Sequence, residues 1–205
     1  MTRAPAWILA VALAASPCAR AAESRGLVST RALVTRLESS GRAEAVVRLA
    51  RRDPLSGRTS TLSGRLALEL PGCARLDLSD GEAMTLRPDG GDWLQPATRQ
   101  LIHGGVRAVA GLLTWWGALL DTSGAEFRET KVAGSGYRLK SRAFGEELSQ
   151  RVDLGANGLP RRVVAALSPE DSLEYRISSW RFTHPRGRDA FVLQAPRGYE
   201  VVHVQ

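Results

Sequence analysis

The sequence predicts a mainly β (α+β) fold, in which one strongly curved antiparallel sheet of about eleven strands forms an incomplete barrel lidded by helices. Three observations predict this fold. Apolar and polar residues alternate with a period of two in many short runs. Pro-Gly, Asp-Gly and Asn-Gly pairs separate these runs. Two longer stretches instead have helical spacing, and the second of them is almost entirely apolar.

The alternation is clearest in the stretch Leu62–Gln95. Leu66 and Leu68 share one side of its first run, and the polar residues beside them point to the other side. Pro71-Gly72 and Asp80-Gly81 are typical of tight turns between antiparallel strands. We therefore expect a meander of about four strands here, with one apolar face and one face rich in Arg, Asp, Glu and Ser.

The chain before this meander predicts one helix and one strand. Residues Ser24–Ser39 have apolar side chains at three- and four-residue spacing, and Ser39-Ser40-Gly41 ends the run. Ala43–Leu49 alternates again and predicts the first strand, and Asp53–Gly57 predicts a turn after it. The fold is thus expected to begin with a helix that leads directly into the sheet.

A second helix is predicted from Gly104-Gly105 to Leu120. Its apolar stripe is broad, and few polar residues apart from Arg107 and Thr114 interrupt it. A helix this apolar is either buried or faces an apolar ligand. Two interpretations follow: a core helix that plugs the curved sheet, or a mobile lid over a lipid cavity. Both interpretations place the helix on the apolar face of the sheet.

The second half of the chain again predicts strands. A phase change at Ser178-Ser179 puts Trp180 and Phe182 out of step with Tyr175, which predicts a β-bulge. Asn157-Gly158 is the strongest turn signal of this half. The expected strands are Ala125–Lys131, Gly136–Phe144, Leu148–Leu154, Pro160–Leu167, Ser172–Phe182 and, as the last strand, Phe191–Leu193.

The charge distribution argues against a nucleic-acid partner. The net charge is +7, with 28 basic and 21 acidic residues, and 26 of the basic residues are arginines. They are scattered, and no run is longer than the pair at Arg51-Arg52. A nucleic-acid-binding protein clusters basic residues with aromatic residues on one face. We attribute the arginine excess to codon usage in a G+C-rich genome, although a local arginine remains available to an anionic headgroup.

The first 21 residues have the organisation of a cleavable signal peptide. Met1–Arg3 is basic, Trp7–Ala15 is apolar but too short to cross a bilayer, and Ala19–Ala21 is a small-x-small cleavage site. We therefore predict a signal peptide over residues 1–21 and a single domain over residues 22–205. Cleavage removes Cys18 and leaves Cys73 alone, so we expect an exported protein without an intrachain disulfide.

The sequence carries no motif for catalysis or metal binding. It has no His-Glu-x-x-His, no paired-cysteine metal site, no Gly-x-Ser-x-Gly and no phosphate loop. His103, His184 and His203 lie far apart in the chain. Cys73, beside a turn, is interpreted as a small buried residue rather than a nucleophile. We predict no catalytic residue, no metal site, no cofactor and no enzymatic activity.

Four features, taken in order, carry a resemblance to a known family. The predicted signal peptide is followed by an amphipathic helix. Gly64–Pro71 is similar to the family's Gly-x-Leu-x-x-x-x-Pro strand, and Met84–Trp93 is similar to its Asp-Gly hairpin with a following tryptophan. Leu159-Pro160 and Phe191–Gly198 follow its closing pattern. The chain thereby resembles the periplasmic outer-membrane lipoprotein carriers, the LolA-like proteins.

The resemblance implies a half-open β-barrel lidded by helices, with a hydrophobic cavity for acyl chains. It also implies a periplasmic carrier that takes lipidated proteins from an inner-membrane release complex to an outer-membrane acceptor. Lipidated proteins or other lipids are then the partners, and we expect a monomer. On this interpretation the cavity is lined by Leu66, Leu68, Leu76, Leu78, Met84, Leu86, Trp93, Leu112, Leu113, Trp116 and Leu119.

Two positions depart from the family pattern. Leu70 stands where the best-studied carriers have an arginine just before the proline. Ala74 stands where an aromatic residue helps to engage the membrane complex. Those two roles do not carry over, so the fold and lipid binding are better supported than lipoprotein delivery. The alternative function is a LolA-like lipid or glycolipid binding or sensor module that does not ferry lipoproteins.

Overall fold

A computed structural model of the protein describes residues 26–52, 57–105, 118–120, 127–141, 149–166 and 172–204. Most of these residues lie in strands. The elements, in chain order, are α1 Arg31–Ser40, β1 Arg42–Arg52, β2 Thr59–Glu69, β3 Cys73–Leu78, β4 Ala83–Arg87, β5 Gly90–Gln95, β6 Gln100–Gly104, β7 Phe127–Lys131, β8 Gly136–Ser141, β9 Ser149–Leu154, β10 Pro160–Ala166, β11 Ser172–Thr183, the 3-10 helix Arg188–Phe191 and β12 Glu200–Val204.

The strands of these ranges form one curved, open sheet of twelve, in the order β12-β6-β5-β4-β3-β2-β1-β11-β10-β9-β8-β7. Neighbours along this order are antiparallel, as predicted, except at one edge. There β12 runs parallel to β6, which corrects the prediction of a purely antiparallel sheet. Parallel pairing requires a crossover connection, and alternation within a strand does not encode the direction of its neighbour.

Alternation gives the sheet two unlike sides. The apolar face carries Leu49, Leu66, Leu76 and Tyr175, whose side chains are 0–1% exposed. We call the opposite side the charged face; its central strands carry Arg42, Glu69, Arg75 and Asp92. Each fully buried leucine contributes about 1.5–3 kcal/mol relative to an exposed one, so the apolar face supplies most of the core.

The predicted β-bulge in β11 is confirmed. Val46 of β1 pairs with Ser178, but Glu44 pairs with Arg181, so two residues of β11 stand opposite one of β1. Ser179 occupies the bulge with a φ of 56°. The extra residue reverses the alternation within β11. Odd-numbered Ile177 before the bulge and even-numbered Trp180 after it therefore both pack with the apolar cluster.

Helix α1 covers the apolar face with Leu33 and Leu37, both 0% exposed. It begins at Arg31 rather than at the predicted Ser24. In the turn before it, the N–H groups of Val28 and Ser29 donate to the carboxylate of Glu129 in β7, at 2.7 and 2.8 Å. A carboxylate at a helix amino terminus is favoured by the unpaired N–H groups there.

The end of α1 matches the prediction. Gly41 adopts a φ of 88°, and its N–H donates to the carbonyl of Leu37 at 2.7 Å. This left-handed cap favours glycine because other residues meet steric resistance there.

The predicted start of the second helix was wrong. Gln100–Gly104 forms β6, so Gly104 ends a strand instead of opening the second helix. Of that predicted helix, Ala118–Leu120 is helical and buried in the core, and residues 106–117 lie outside the described residues. None of the helices among the described residues has both the length and the apolar character that crossing a membrane requires.

The predicted last strand, Phe191–Leu193, is also wrong. Arg188–Phe191 is a 3-10 helix within a connection, residues 184–199, that we call the strap. The strap crosses the charged face from β11 to β12. Phe191 is 0% exposed and packs with Ala67 and Cys73 on that face. Side-chain contacts with the sheet below, rather than ladder hydrogen bonds, therefore order this segment.

Candidate functional site

The candidate site is the apolar face of β2–β5. Six of the predicted lining residues are buried in one cluster, and two more, Leu86 and Trp93, are partly buried against it. Leu112, Leu113 and Trp116 lie outside the described residues. The buried members are Leu66, Leu68, Leu76, Leu78, Met84 and Leu119, each 0–6% exposed. The described residues of the predicted site thus lie together on one face of the sheet. That they line a cavity is our proposal.

Strand register explains why these side chains meet. Leu66 is directly opposite Leu76, Leu76 is opposite Met84, and Met84 is opposite Trp93. Directly opposed residues in antiparallel strands have Cβ atoms about 4.5–5.5 Å apart on the same side of the sheet. A continuous apolar row therefore crosses four strands, and Leu119 of the second helical segment belongs to the same cluster.

The rim of this row lies at β4 and β5. Leu86 stands opposite Gly91, which has no side chain to cover it. The indole Nε1 of Trp93 donates to the Glu82 carboxylate at 2.7 Å. This bond fixes the polar edge of the ring and leaves its apolar surface on the cluster. Partly exposed apolar side chains at the rim are positioned to contact an apolar ligand.

Sequence reasoning missed three polar groups near the apolar core. Among the described residues, Ser29 Oγ, Thr30 Oγ1 and Gln150 Oε1 are buried without a hydrogen-bond partner. Gln150 stands opposite Leu139 and Ala165, which are buried in the same core. An unpaired buried polar group costs about 1–3 kcal/mol, so three of them require an explanation. Period-two alternation conveys nothing about hydrogen-bond satisfaction.

Comparison with known proteins identifies the fold. No family model matches the sequence, and no curated protein matches it. A LolA superfamily protein from Nitrosomonas europaea superposes with a TM-score of 0.50, at 8% identity, over 80% of this chain and 97% of that chain. A proposed outer membrane lipoprotein-sorting protein domain from Vibrio parahaemolyticus superposes with a TM-score of 0.50, at 17% identity, over 81% of this chain and 95% of that chain.

The fold is LolA-like. At these identities the likeness concerns the fold, and at that level it confirms the resemblance that the sequence motifs indicated. The two departures from the family pattern now have a structural position. Leu70 is partly buried against the apolar cluster, and Ala74 is 0% exposed within it. Leu70 packs against this cluster and Ala74 within it, so neither supplies the charged or aromatic group that the family pattern has there.

The charged face of the LolA-like sheet anchors the strap through carboxylates that accept backbone N–H groups. Glu69 accepts from Arg186 and Gly187 at 3.0 and 2.9 Å, and Asp92 accepts from Leu193 at 3.0 Å. In the opposite direction, the Arg75 guanidinium donates to the carbonyl of Ala190 at 3.0 Å. The acidic and basic side chains of β2–β5 thus form hydrogen bonds with backbone N–H and C=O groups of the strap, which does not pair with a strand.

Asp92 is the centre of this network. Its side chain is 0% exposed and accepts from Arg87 at 2.6 and 3.0 Å. His103 Nδ1 lies 2.8 Å from it, and the Leu193 N–H also donates to it. Burial by itself raises the pKa of Asp92, but the hydrogen bonds from Arg87, Leu193 and His103 outweigh burial and lower that pKa below its ordinary value.

Cys73 and His203 belong to residue types that can take part in reactive chemistry. Cys73 is 3% exposed, as predicted for a small buried residue, and burial raises the pKa of its thiol, which disfavours the nucleophilic thiolate. His203 stacks on His103 across β12 and β6, with ring centroids 5.3 Å apart. Within the described ranges, no group of three or more His, Cys, Asp or Glu side chains is arranged to hold a metal ion.

Proposed function

We propose that this protein is an exported carrier that binds the acyl chains of lipoproteins, or of another lipid, in a hydrophobic cavity and moves them toward the outer membrane. The observation that carries the proposal is the continuous apolar row across β2–β5, with half-buried Leu86 and Trp93 at its rim. The LolA-like fold supports it. The proposal includes a signal peptide over residues 1–21, a single domain over residues 22–205 and a periplasmic location.

The cavity is proposed to lie between the sheet, curved as an incomplete barrel, and a lid of helices. Helix α1 supplies one part of this cover, and the predicted helix that ends in Leu119 and Leu120 supplies the other. Leu112, Leu113 and Trp116 complete the proposed lining. Removing an acyl chain from water is favourable by about 0.8 kcal/mol per methylene, so a chain of ordinary length supplies enough free energy for tight binding.

The unpaired polar atoms of Ser29, Thr30 and Gln150 support a lipid that has polar groups next to its acyl chains. Ester or amide carbonyl groups of such a lipid supply acceptors for the two hydroxyls, and an amide N–H supplies a donor for the glutamine oxygen. Diacylglyceryl and amide-linked acyl groups belong to this class. A plain hydrocarbon would leave all three atoms unsatisfied.

Leu86→Lys tests the proposal. The substitution puts an ammonium group at the rim of the apolar row, where an acyl chain would have to remain in contact with it. Because an uncompensated charge is costly in apolar surroundings, we expect the affinity for a dansyl-labelled fatty acid to fall by at least about tenfold. The measurement is a fluorescence titration of the lipid-free protein.

Val201→Lys is the matched control, since Val201 is 44% exposed, lies in β12 and faces away from the apolar row. It introduces the same charge and should leave fatty-acid affinity unchanged. A folded Leu86→Lys protein that binds the probe as tightly as the wild type contradicts the assignment of the apolar face.

A second candidate is a LolA-like lipid or glycolipid binding or sensor module that does not ferry lipoproteins. Leu70 and Ala74 favour it, because Leu70 packs against the apolar core and Ala74 lies within it, where carriers of the family present an arginine and an aromatic residue. Transfer of a lipoprotein from the inner-membrane release complex to the protein supports the carrier. Lipid binding without such transfer supports the module. Neither candidate involves catalysis.

A further inference from the structure

The charged face has an open cleft that the proposed lipid site does not use. The cleft has a volume of about 690 Å³ and lies over β1, β2 and β3, beside the strap. Five arginines and two acidic residues line it, together with small apolar side chains. The arginines are Arg42, Arg65, Arg75, Arg181 and Arg186. Its size is within the range of about 300–1,000 Å³ that small-ligand sites occupy.

Three of these guanidiniums already have anionic partners. Arg42 donates to Glu44 at 2.9 Å and to Glu69 at 3.2 Å. Arg75 pairs with Asp77 at 2.9 Å. Arg186 reaches Glu44 only loosely, at 3.7 Å. Each of the two acidic residues of the cleft is therefore already paired with an arginine of the same cleft.

The side chains of Arg65 and Arg181 have no hydrogen-bond or ion-pair partner among the described residues. Arg65 stands directly opposite Asp77, yet Asp77 accepts three hydrogen bonds from Arg75 instead. Arg181 stands opposite Glu44, which is taken by Arg42. Two forked donors thus extend over the cleft with their hydrogen-bonding capacity unused.

The β-bulge is what places Arg181 over this cleft. Before the bulge, odd-numbered residues of β11 such as Ile177 face the apolar side. The extra residue at Ser179 reverses the phase, so Arg181 pairs with Glu44 on the charged face. Ser179 lines the cleft itself and has the left-handed φ of 56°. Bulges and sparsely populated backbone conformations are concentrated at binding sites, where they redirect side chains.

We propose that this cleft binds a phosphate group, either of a lipid headgroup or of a soluble phosphate. Arg65 and Arg181 approach from the strands on either side of β1. One guanidinium fork satisfies a planar carboxylate, whereas a tetrahedral phosphate offers oxygens to two forks that arrive from different directions. The site lies on the opposite side of the sheet from the apolar row and so acts independently of acyl-chain binding.

Arg65→Gln/Arg181→Gln tests the proposal in the full-length mature protein. The probe is inorganic phosphate, and the measurement is the broadening of its ³¹P resonance as protein is added. We expect the wild type to bind phosphate and the double variant to bind it at least about tenfold more weakly, because it loses the charge-assisted hydrogen bonds. Neither arginine holds a partner in the described structure, so the variant should remain as stable as the wild type.

The control is Arg31→Gln/Arg128→Gln, which removes the same charge from exposed positions outside the cleft. It should retain phosphate binding. A further variant, Arg65→Lys/Arg181→Lys, keeps the charge but removes the forks, and it should bind more weakly than the wild type. The proposal is overturned if the wild type does not bind phosphate. It is also overturned if Arg65→Gln/Arg181→Gln and the control lose phosphate affinity equally, or if the lysine variant binds phosphate as tightly as the wild type does.

Vesicles distinguish the two sources of phosphate. Cosedimentation with phosphatidylglycerol–phosphatidylcholine vesicles that depends on Arg65 and Arg181 assigns the site to an anionic headgroup. Binding of inorganic phosphate without arginine-dependent vesicle binding assigns it to a soluble phosphate. Both results support a phosphate site, and neither depends on whether the apolar face holds a lipid.

Discussion

Replacing Asp92 with alanine is expected to lower the free energy of unfolding by about 3–5 kcal/mol, the cost of removing one partner of a buried ion pair. The Asp92 side chain is 0% exposed, and its loss leaves the guanidinium of Arg87 without its main partner. It also leaves the Leu193 N–H, within the strap, without an acceptor. Urea unfolding followed by circular dichroism measures the change.

The same carboxylate predicts how stability depends on pH. Because the pKa of Asp92 is lowered by folding, its ionised form stabilises the protein above its ordinary pKa of 3.8. That contribution is lost as the pH falls through the lower pKa of the folded state. Glu174 acts in the same direction, since hydrogen bonds from Arg162 and Arg176 lower its pKa to about 2. The free energy of unfolding should therefore fall below about pH 4 in the wild type, and less steeply in Asp92→Ala.

Asp89→Ala is the control for this prediction. Asp89 also pairs with Arg87, at 3.5 Å, but its side chain is 66% exposed. Exposed ion pairs contribute about 0–1 kcal/mol, so this variant should be nearly as stable as the wild type. Equal, small losses in the two variants would show that Asp92 does not hold the strap on the sheet.

Gly64→Ala is expected to destabilise the protein by about 1–3 kcal/mol, the usual cost of overpacking a core. Gly64 stands opposite Leu78 in the β2–β3 pair. A Cβ atom added there would lie 2.6 Å from the carbonyl oxygen of Asp77 and 2.8 Å from Leu78 Cδ2. The backbone oxygen cannot move without disturbing the strand pair, so β2 and β3 must separate. The midpoint of thermal unfolding measures the effect.

Gly105→Ala is the matched control, since an added Cβ at Gly105 meets no atom within 4 Å and its backbone is not left-handed. It should change the free energy of unfolding by less than about 0.5 kcal/mol. An unchanged unfolding midpoint in Gly64→Ala would contradict the close approach of β2 and β3. That approach is the physical reason for a glycine at the start of the Gly64–Pro71 motif.

The apolar face was predictable because its signal is local. Leu66, Leu76 and Met84 lie within alternating runs joined by tight turns, so their neighbours in sequence fix both the strands and the side of the sheet. The bulge at Ser178-Ser179 was predictable for the same reason, since the phase of the alternation changes within a single strand.

The strap and its contacts with the charged face were not predictable, because residues far apart in the chain form them. Phe191 lies in a short apolar run that suggests a strand, but its own carbonyl accepts from Arg87 and that of Ala190 accepts from Arg75, more than 100 positions earlier in the chain. The parallel pairing of β12 with β6 depends on the same crossover. Contacts between a carboxylate and a distant backbone N–H leave no periodic pattern in the sequence.

The cleft on the charged face was hidden for a related reason. Scattered arginines gave no cluster in sequence, yet strand pairing and the bulge bring Arg65 and Arg181 over one cleft from positions far apart in the chain. The sequence identified an available arginine in general terms, and only the structure shows which two of the five cleft arginines have no side-chain partner among the described residues.

Native mass spectrometry of the proposed mature protein, residues 22–205, purified without detergent after export to the periplasm, shows whether the apolar face holds a lipid. We expect a near-stoichiometric adduct of lipid or acylated protein whose mass gives the class of the cargo, and we expect a delipidated sample to take up added diacyl lipid. A mass without any adduct, together with no uptake of added lipid, would rule out the proposed lipid cavity. The apolar row of β2–β5 would then be closed core, and the function would have to lie on the charged face.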